Sequence, residues 1–352
     1  MHGVQHIVER IVSKATTYHS QLLILSFVLS VIGIVTTFIA QCRREGQRPG
    51  LRRFFTFVFP AALIRGHDLK ADIQFSIARL ILGPLIFCQF TVLSVAVATS
   101  LKSIGDHYLH IVPSIHVGSF TLVVIYCAGF LAYDFCNYFG HWLEHRVPLL
   151  WELHKVHHSA EILNPLTARR FHPLQEQFDD LVLGIGTGIT FGLFGIFYQM
   201  DSYDFGFLTV DVWYVSEILT LHYLRHSHVP LRFGWLEWVL MSPAHHQLHH
   251  SREVRHWDRN FCTTLSIWDR AFGTYCDPVP GESFALGLPQ EEHRQFRNVF
   301  DFYWRPIRRI ATMGAPEPVM VARTPTPEIE ALVQGERLGT EGLVSDLAPS
   351  VV

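Results

Sequence analysis

Histidines are concentrated between residues 141 and 250, where ten of them follow two repeated spacings. Pairs separated by four residues form H-x-x-x-H patterns, and two triplets form H-x-x-H-H patterns. Side chains three and four residues apart share one face of a helix, so each group can aim two or three ring nitrogens at one point. The pattern indicates a metal site with these ligands: His141, His145, His154, His157, His158, His222, His226, His246, His249 and His250.

Neutral imidazole binds zinc, iron, copper and nickel, so the residue type does not identify the metal. The number of histidines is more informative, because a zinc ion takes about four ligands and ten histidines exceed two such sites. Two ions with open positions for a small molecule fit a redox dimetal centre better. None of the ten histidines has a glutamate three residues before it, so the E-x-x-H ligand pattern of soluble carboxylate-bridged di-iron bundles does not apply to them. Glu144 and Glu152 are candidate partners for histidine N–H groups.

Composition places the chain in a membrane. Apolar residues make up 49% of it and charged residues only 17%, whereas soluble proteins carry about 25% charged residues. A bilayer span needs roughly 20 apolar residues. Runs of this kind predict four or five spans, at 22–40, 78–101, 117–136, 181–200 and 205–221.

Five arginines between residues 43 and 53 follow the first run, and the positive-inside rule holds them in the cytoplasm. The third run then returns to the cytoplasm before His141, and the fourth and fifth form a hairpin that returns before His222. All four histidine groups therefore lie on the cytoplasmic side, and His107, His110 and His116 lie on the other. The predicted fold is all-α, a multi-span membrane helical bundle with a cytoplasmic histidine-rich cap.

Other features of the sequence argue against several classes of protein. The net charge is −3 and no basic stripe is present beyond the juxtamembrane arginines, so nucleic acid is not an expected partner. The six cysteines form no C-x-x-C pair, which argues against a thiolate metal site. Gly184, Gly188 and Gly192 lie in an apolar run and predict close helix packing rather than a nucleotide loop.

Six segments in a fixed order resemble the membrane fatty acid hydroxylase / sterol desaturase superfamily. The resemblance covers roughly residues 120 to 280. It implies a non-haem di-iron centre, activation of O2 and oxidation of an unactivated C–H bond in a lipid. The segments are GHWLEH (140–145), WELHKVHHS (151–159), RRFHP (169–173), LHYLRHSH (221–228), SPAHHQLHHS (242–251) and IWDRAFGTY (267–275).

The ten histidines named above match the ligand motifs of this superfamily position by position. In the last motif only His246 has the correct spacing to His249 and His250, so the adjoining His245 is the spare residue. His172 occupies a position that the family often fills with histidine, and His228 stands where many relatives carry asparagine. We therefore expect His172, His228 and His245 to be extra ligands or partners of ligands, and we expect His256 and the Trp268-Asp269-Arg270 stretch to be structural.

The expected function is hydroxylation of a lipid, a fatty acyl chain, a sterol or another membrane lipid, by two iron ions. Desaturation by the same centre is the first alternative. The chain carries no flavin, nicotinamide or H-P-G-G haem motif, so a separate reductase, ferredoxin or cytochrome b5-like protein is expected to supply electrons. We expect a bacterial inner membrane rather than the endoplasmic reticulum.

Two other classes of protein fit the sequence less well. A membrane zinc hydrolase would be expected to carry H-E-x-x-H, which is absent. A metal transporter or sensor would place its ligands near the bilayer midplane or in a low-complexity tract. The predicted organisation is an N-terminal transmembrane region (1–116), a di-iron fatty acid hydroxylase-like domain (117–311) and a disordered tail (312–352).

Overall fold

The computed structural model describes residues 2–86, 89–279, 284–289 and 298–313, with the single positions 282, 292 and 296. These residues are mainly helical and form no β-strand, which confirms the predicted all-α class. The α-helices are α1 (His2–Arg44), α2 (Leu51–Val58), α3 (Ala61–Arg65), α4 (His67–Ile86), α5 (Gln89–Tyr108), α6 (Ser119–Arg146), α7 (Pro148–His158), α8 (Pro173–Phe197), α9 (Ser202–Leu219), α10 (His222–Arg225), α11 (Pro243–His249), α12 (Ile267–Phe272) and α13 (Val299–Thr312). Short 3-10 helices cover Thr167–Arg169, Gly234–Trp238 and Val254–His256.

Three of the described helices are long and apolar enough to cross a membrane: Ile24–Arg44 of α1, α6 and α8. They correspond to the first, third and fourth predicted runs. The second run is divided between α4 and α5, and the fifth lies in α9, whose charged residues include Asp211 and Glu217. The candidate spans are therefore fewer than the four or five that we predicted.

Helices α5 and α8 pack closely through the glycine face of α8, as its four-residue spacing predicted. A Cβ atom added at Gly188 would lie 2.7 Å from the backbone oxygen of Ser94. Equivalent atoms at Gly184 and Gly192 would lie 2.9 Å from atoms of α5. Only glycine permits this approach, because any side chain would hold the two backbones apart. Lipid provides little hydrophobic driving force for apolar helices to associate, so close van der Waals contact between the backbones stabilises the pair instead.

Buried polar and aromatic side chains join the same helices to α6 and α9. The hydroxyl of Thr187 donates to that of Ser94 at 3.0 Å, and Ser94 is 2.9 Å from the hydroxyl of Thr209. All three side chains are fully buried. Around them, Phe191 of α8 and Phe205 of α9 belong to the largest apolar core. The bundle is therefore held by packing and by hydrogen bonds that have no competing water.

The two ends of the bundle carry different groups. At one end the loop before α6 meets the loop after α8, where the amide of Gln199 donates to the carbonyl of Ile115 at 2.9 Å. His110 and His116 belong to this loop, and His107 lies near the end of α5 beside it. The last turns of α6 lie at the opposite end, about 33 Å away at 1.5 Å per helical residue. The three histidines are thus remote from the other histidine groups, as predicted.

A buried arginine ties α4 to the segment that follows α7. All five N–H groups of Arg170 are engaged: Nε donates to Asp72 at 2.6 Å, and the two terminal nitrogens donate to Asp68 and to the hydroxyl of Ser159. Arg170 and Asp72 are fully buried. Because Ser159 directly follows the last histidine of α7, this ion-pair network sets where that helix ends.

The described residues up to Ile310 form one compact unit. The predicted boundary between residues 116 and 117 falls inside this unit and stays a prediction. Of the predicted disordered tail at 312–352, all residues after 313 lie outside the described part of the chain.

The contact between α5 and α8 can be tested with Gly188→Ala. The added methyl group would be 2.7 Å from both the Ser94 oxygen and the Val97 Cβ, so overpacking should destabilise the protein by about 1–3 kcal/mol. The matched control is Gly140→Ala in α6, where the new Cβ would have an ordinary contact of 3.7 Å with Val182. Thermal unfolding in detergent measures both. Equal midpoints for the two variants would contradict the close approach.

The ion-pair network can be tested with Asp72→Asn. This change leaves the buried Arg170 guanidinium without its closest carboxylate, and breaking a buried pair in this way costs about 3–5 kcal/mol. Asp106→Asn makes the same chemical change at an exposed position of α5 and should alter stability by less than about 0.5 kcal/mol. An Asp72→Asn protein that unfolds at the same temperature as the Asp106→Asn protein would contradict the role of the network.

Candidate metal centre

Nine of the ten predicted ligands converge in two adjoining groups at the end of the bundle that contains the last turns of α6. The five-histidine cluster consists of His141, His145, His154, His158 and His249. The four-histidine cluster consists of His157, His226, His246 and His250. Within each cluster, one ligand nitrogen from every residue lies within 4.8 Å of the others.

The two H-x-x-H-H motifs exchange ligands between the clusters. In α7 the i, i+4 pair His154 and His158 faces the five-histidine cluster, and His157 faces the other. In α11 the arrangement is reversed, because His246 and His250 face the four-histidine cluster and His249 faces the first. Each motif therefore bridges both clusters. The exchange brings the clusters into contact, with the rings of His158 and His250 stacked at 4.5 Å between centroids.

The Nε2 atoms of each cluster lie at distances that suit a shared metal ion. In the five-histidine cluster, His158 Nε2 is 3.2, 3.0 and 3.1 Å from those of His145, His154 and His249. In the four-histidine cluster, His226 Nε2 is 3.0 Å from that of His157 and 2.7 Å from that of His246. Two nitrogens that each lie about 2.1 Å from one ion, at right angles, are about 3.0 Å apart.

The protonation state of the rings also suits metal binding. Burial lowers the pKa of His157, His158 and His246 well below 6.5, and neighbouring rings lower it further. For His250, burial lowers the pKa to about 3. The rings are therefore neutral at pH 7, and neutral imidazole is the form that binds metal. A neutral ring has only one N–H, so several Nε2 lone pairs that face one another repel unless a cation lies between them.

Three rings of the five-histidine cluster are oriented through their other nitrogen. With Nε2 as the ligand atom, Nδ1 carries the hydrogen and needs an acceptor. Two of the acceptors are backbone carbonyls and the third is a buried carboxylate. The Nδ1 distances are 2.8 Å from His141 to the Phe261 oxygen and 2.7 Å from His249 to the Arg259 oxygen. His154 Nδ1 lies 2.9 Å from Glu144 Oε2 and 2.6 Å from the side-chain amide of Gln175.

The four-histidine cluster is oriented mainly by packing. The Nδ1 atoms of His157, His226 and His250 are buried and have no hydrogen-bond partner in the described protein. The ring of His157 stacks on Phe171, with centroids 4.4 Å apart and an interplanar angle of 15°. Phe171 precedes His172 in the RRFHP segment, so this segment contributes an aromatic wall to the centre.

His222 is the predicted ligand that joins neither cluster. Its Nδ1 atom pairs with the carboxylate of Glu217. Leu221 has a left-handed backbone conformation with φ of 48°, and α10 ends at Arg225, so His226 falls outside the helix. The i, i+4 relation that would place His222 and His226 on one face is therefore lost. The motif spacing predicted a pair of ligands, but the backbone brings only His226 into a cluster, and the assignment of both residues as ligands stays a prediction.

The three additional histidines also lie outside both clusters. His172 caps α8 by accepting from the Leu174 amide at Nδ1, and its Nε2 donates to the Tyr303 carbonyl at 3.0 Å. His228 Nε2 donates to the Phe57 carbonyl at 2.8 Å. Both rings use a nitrogen to hold backbone in place.

His245 belongs to a third group with Glu237 and Asp277, which are near enough to one another to hold an ion. However, the guanidinium of Arg232 already lies between the two carboxylates, 2.6 Å from Glu237 Oε2 and 2.6 Å from Asp277 Oδ1. His245 itself contacts the hydroxyls of Ser242 and Tyr275, each at 2.8 Å. An arginine thus supplies the positive charge in this group.

Of the two acids singled out in the sequence, Glu144 contacts a clustered histidine and Glu152 does not. Glu152 pairs with Lys155 at 2.5 Å. It lies two residues before His154, and residues two apart on a helix point in different directions. His256, expected to be structural, is buried and its Nδ1 is 3.0 Å from the Ser251 hydroxyl.

The Trp268-Asp269-Arg270 stretch is architectural, as expected, but Asp269 acts without Arg270. Its carboxylate accepts from the amides of Phe261 and Cys262 at 2.9 and 2.8 Å. It therefore fixes the carbonyl of Phe261 that orients His141. Arg270 instead lies over the ring of Tyr275, 3.7 Å from its centroid. The sequence did not predict these carbonyl partners. Every residue has a backbone oxygen, so residue type does not indicate which oxygen accepts a hydrogen bond.

Comparison with known proteins gives one family match and several relatives. Residues 126–274 match the family model described as fatty acid hydroxylase, and this range contains all nine clustered histidines. Alkylglycerol monooxygenase of Xenopus tropicalis is 33% identical over 169 residues, which cover 48% of this chain and 34% of that protein. Ornithine lipid hydroxylase OlsE of Rhizobium tropici is 28% identical over 194 residues, which cover 55% of this chain and 53% of that protein.

A more distant relative is the Delta(7)-sterol 5(6)-desaturase ERG3B of Gibberella zeae, 28% identical over 149 residues that cover 42% of this chain and 40% of that protein. The matches thus cover between a third and about half of the length of these relatives. No solved structure matched the chain.

The motif treats His222 and His226 as equivalent ligands, but the structure places only His226 in a cluster. Metal content can therefore distinguish the two residues. His226→Ala removes one nitrogen from the four-histidine cluster and should reduce the metal bound there, whereas His222→Ala should leave metal content unchanged. Elemental analysis of the purified proteins, expressed as metal per chain, measures both. Loss of the same amount of metal from both variants would show that His222 is also a ligand.

Proposed function

We propose that this protein is a membrane oxidoreductase that hydroxylates an unactivated C–H bond of a lipid, because residues 126–274 match the fatty acid hydroxylase family model. The reaction consumes O2 and two electrons, and a donor outside the chain supplies the electrons. The observation that supports this proposal best is the convergence of nine neutral imidazoles in two adjoining clusters.

We propose that the cofactor is a pair of non-haem iron ions, one in each cluster. The donor set fits iron, because imidazole nitrogens bind it and the Nε2 distances within each cluster suit one shared ion. Neutral ligands favour the ferrous state, since they add no negative charge. When bound, two ferrous ions supply electrons to O2 and the oxidising power to remove hydrogen from a methylene group.

The chain itself holds, orients and shields this centre. Nε2 atoms are the proposed ligands, and the Nδ1 hydrogens of His141 and His249 are retained by the backbone carbonyls of Phe261 and Arg259. These hydrogen bonds select one tautomer and one ring orientation before a metal binds. All four residues of the four-histidine cluster are at least nine-tenths buried. Burial keeps bulk water from competing with the ligands and with the substrate.

The proposed substrate is a membrane lipid. His141 and His145 lie in the last turns of α6, a candidate span, so the centre is next to the bilayer rather than on a remote domain. The relatives are named for alkylglycerol, ornithine lipid and sterol, and these substances share a membrane location rather than one chemical headgroup. We propose that the carbon chain reaches the centre from the bilayer.

We propose that the histidine clusters face the cytoplasm. The C-terminal turns of α1 lie beside the segment after His226, where the Gly33 backbone approaches Leu231. The juxtamembrane arginines of α1 and α2 therefore belong to the same end of the bundle as the clusters, and the positive-inside rule favours the cytoplasm for that end. A bacterial inner membrane is our proposal for the compartment, and a reductase, ferredoxin or cytochrome b5-like protein is the proposed electron donor.

Desaturation is the alternative that a specific observation favours, since a sterol desaturase is among the relatives. Hydroxylation and desaturation both begin with removal of one hydrogen atom. They differ in the second step, which adds oxygen to the same carbon or removes a hydrogen atom from its neighbour. A zinc hydrolase would have only water to activate, and it has no need for two clusters of five and four histidines.

The reaction can be identified by mass spectrometry of lipids from cells with and without the gene. Hydroxylation predicts a lipid heavier by one oxygen atom, and desaturation predicts one lighter by two hydrogen atoms. Iron analysis of the purified protein is expected to give about two ions per chain. Identical lipid profiles together with one zinc ion per chain would contradict both oxidative reactions.

The assignment of ligands can be tested with His157→Ala and His249→Ala, one from each cluster. Each variant should abolish product and reduce bound iron, because a buried ligand nitrogen is lost. His107→Ala provides the control at the opposite end of the bundle and should keep both product and iron. Wild-type turnover by the His249→Ala protein would argue strongly against the proposed centre.

A further inference from the structure

A large cavity lies beside the metal centre. It has a volume of about 1050 Å³, is partly open to the surface, and is lined by the last turns of α1, by residues 161–163, 228, 230–232, 278, 279, 282 and 284–286, and by the outer face of α11. Helix α11 contributes Ala244 and Gln247 to the wall, and none of the nine clustered histidines is among the described lining residues. The cavity is therefore a compartment separate from the metal centre.

The wall combines small residues of α1 with a cation at the end of that helix. Thr36, Thr37 and Ala40 line one part, and Arg44 lines the cavity two turns further on. This stretch covers about 12 Å of a helix that is a candidate membrane span. Leu231 and Phe284 add apolar surface. A compartment at the end of a span, with apolar and cationic residues in its wall, matches the cross-section of a lipid at the membrane surface.

Two of the three arginines in the wall, Arg44 and Arg252, form no ion pair with another described residue. Arg232 already pairs with Glu237 and Asp277. Glu282 already pairs with Arg255 at 2.6 Å. The other charged residues in the wall are Arg44 and Arg252, two cations against the single carboxylate of Glu161.

Two polar atoms of the wall residues are buried and lack a partner in the described protein. One is the hydroxyl oxygen of Thr37 and the other is Nδ1 of His228. Nε2 of His228 donates to the Phe57 carbonyl at 2.8 Å, so in the neutral ring Nδ1 can only accept. A buried acceptor without a donor is unfavourable, because its hydrogen bond to water is lost and not replaced. A ligand that carries a hydroxyl group would satisfy it.

We propose that this cavity binds an anionic phospholipid with a hydroxyl-bearing headgroup, of which phosphatidylglycerol is the simplest example. Arg44 and Arg252 bind the phosphate, His228 accepts from a headgroup hydroxyl, and the carbon chain lies along Ala40, Leu231 and Phe284. The bound lipid is distinct from the substrate of the metal centre. Because α11 separates the two compartments and carries ligands of both clusters, the lipid braces the helix from its outer face.

Native mass spectrometry of the full-length protein in detergent tests the binding of phosphate. The protein is mixed with equal amounts of phosphatidylglycerol and phosphatidylcholine that have the same acyl chains, and bound lipids are identified by mass. The wild type should retain phosphatidylglycerol. Arg44→Gln combined with Arg252→Gln should weaken this binding about tenfold or more, because two charge-assisted hydrogen bonds are lost.

The matched control is Arg43→Gln combined with Arg48→Gln. These two arginines are exposed and do not line the cavity, so the control removes the same charge and should bind like the wild type. Equal loss in both double variants would mean that general surface charge attracts the lipid, and it would overturn the proposal. Displacement of the lipid by inorganic phosphate at equal concentration would overturn it too, since the site would then recognise a free anion.

The part of the proposal that concerns the hydroxyl group has its own test. Phosphatidylmethanol has the same charge as phosphatidylglycerol but no headgroup hydroxyl. The wild type should prefer phosphatidylglycerol, and His228→Phe should bind the two lipids equally. An unchanged preference in the His228→Phe protein would overturn the role of His228. Lipid retention is measured by mass, so the result of this binding test does not depend on catalytic turnover.

Discussion

The structure depends on holding nine neutral imidazoles with their Nε2 lone pairs directed at one another. In apolar surroundings this arrangement is repulsive, and water cannot relieve it because the clusters are buried. A cation in each cluster turns the same arrangement from unfavourable to strongly favourable. The protein must therefore be rigid enough to keep the rings converged before metal binds, and much of the surrounding structure serves that purpose.

Rigidity is provided at three distances from the clusters. Closest are the acceptors of the Nδ1 hydrogens, two backbone carbonyls and the carboxylate of Glu144. Next are the groups that fix those acceptors, among which Asp269 holds the Phe261 backbone through two amides. Furthest is the Arg170 network, which anchors the segment after α7 to α4 with every guanidinium hydrogen engaged. Ring orientation is therefore set by backbone positions, which are less mobile than side chains.

Lipid contributes the remaining constraint. The histidines must lie beside a bilayer, and no polar backbone may be exposed to the lipid. A membrane-spanning helix that continues beyond the lipid meets both requirements, because its backbone hydrogen bonds stay within the helix. Helix α6 does so and carries two ligands in its last turns. The bundle beneath is held by the glycine face of α8 against α5. The histidine clusters therefore lie next to the end of a candidate span.

Much of the site was predictable from residue type and spacing. H-x-x-H-H on a helix fixes which nitrogens share a face, apolar runs located all three candidate spans, and a four-residue glycine interval predicted that α8 packs closely against another helix. Other features depend on where a helix stops or which segment lies opposite. His222 leaves the site because Leu221 is left-handed and α10 is one turn long.

The division of ligands into five and four, with His157 and His249 crossing to the other cluster, results from the docking of α7 against α11. Spacing limits only the residues of one helix, so it carries no information about that docking. The carbonyl acceptors, the Arg170 network and the cavity beside α11 belong to the same class of feature. The sequence alone determined the chemistry of the ligands and the membrane setting, because both are properties of local composition. Only the tertiary structure decided which rings meet, because side-chain direction depends on helix ends and on neighbours that are distant along the chain.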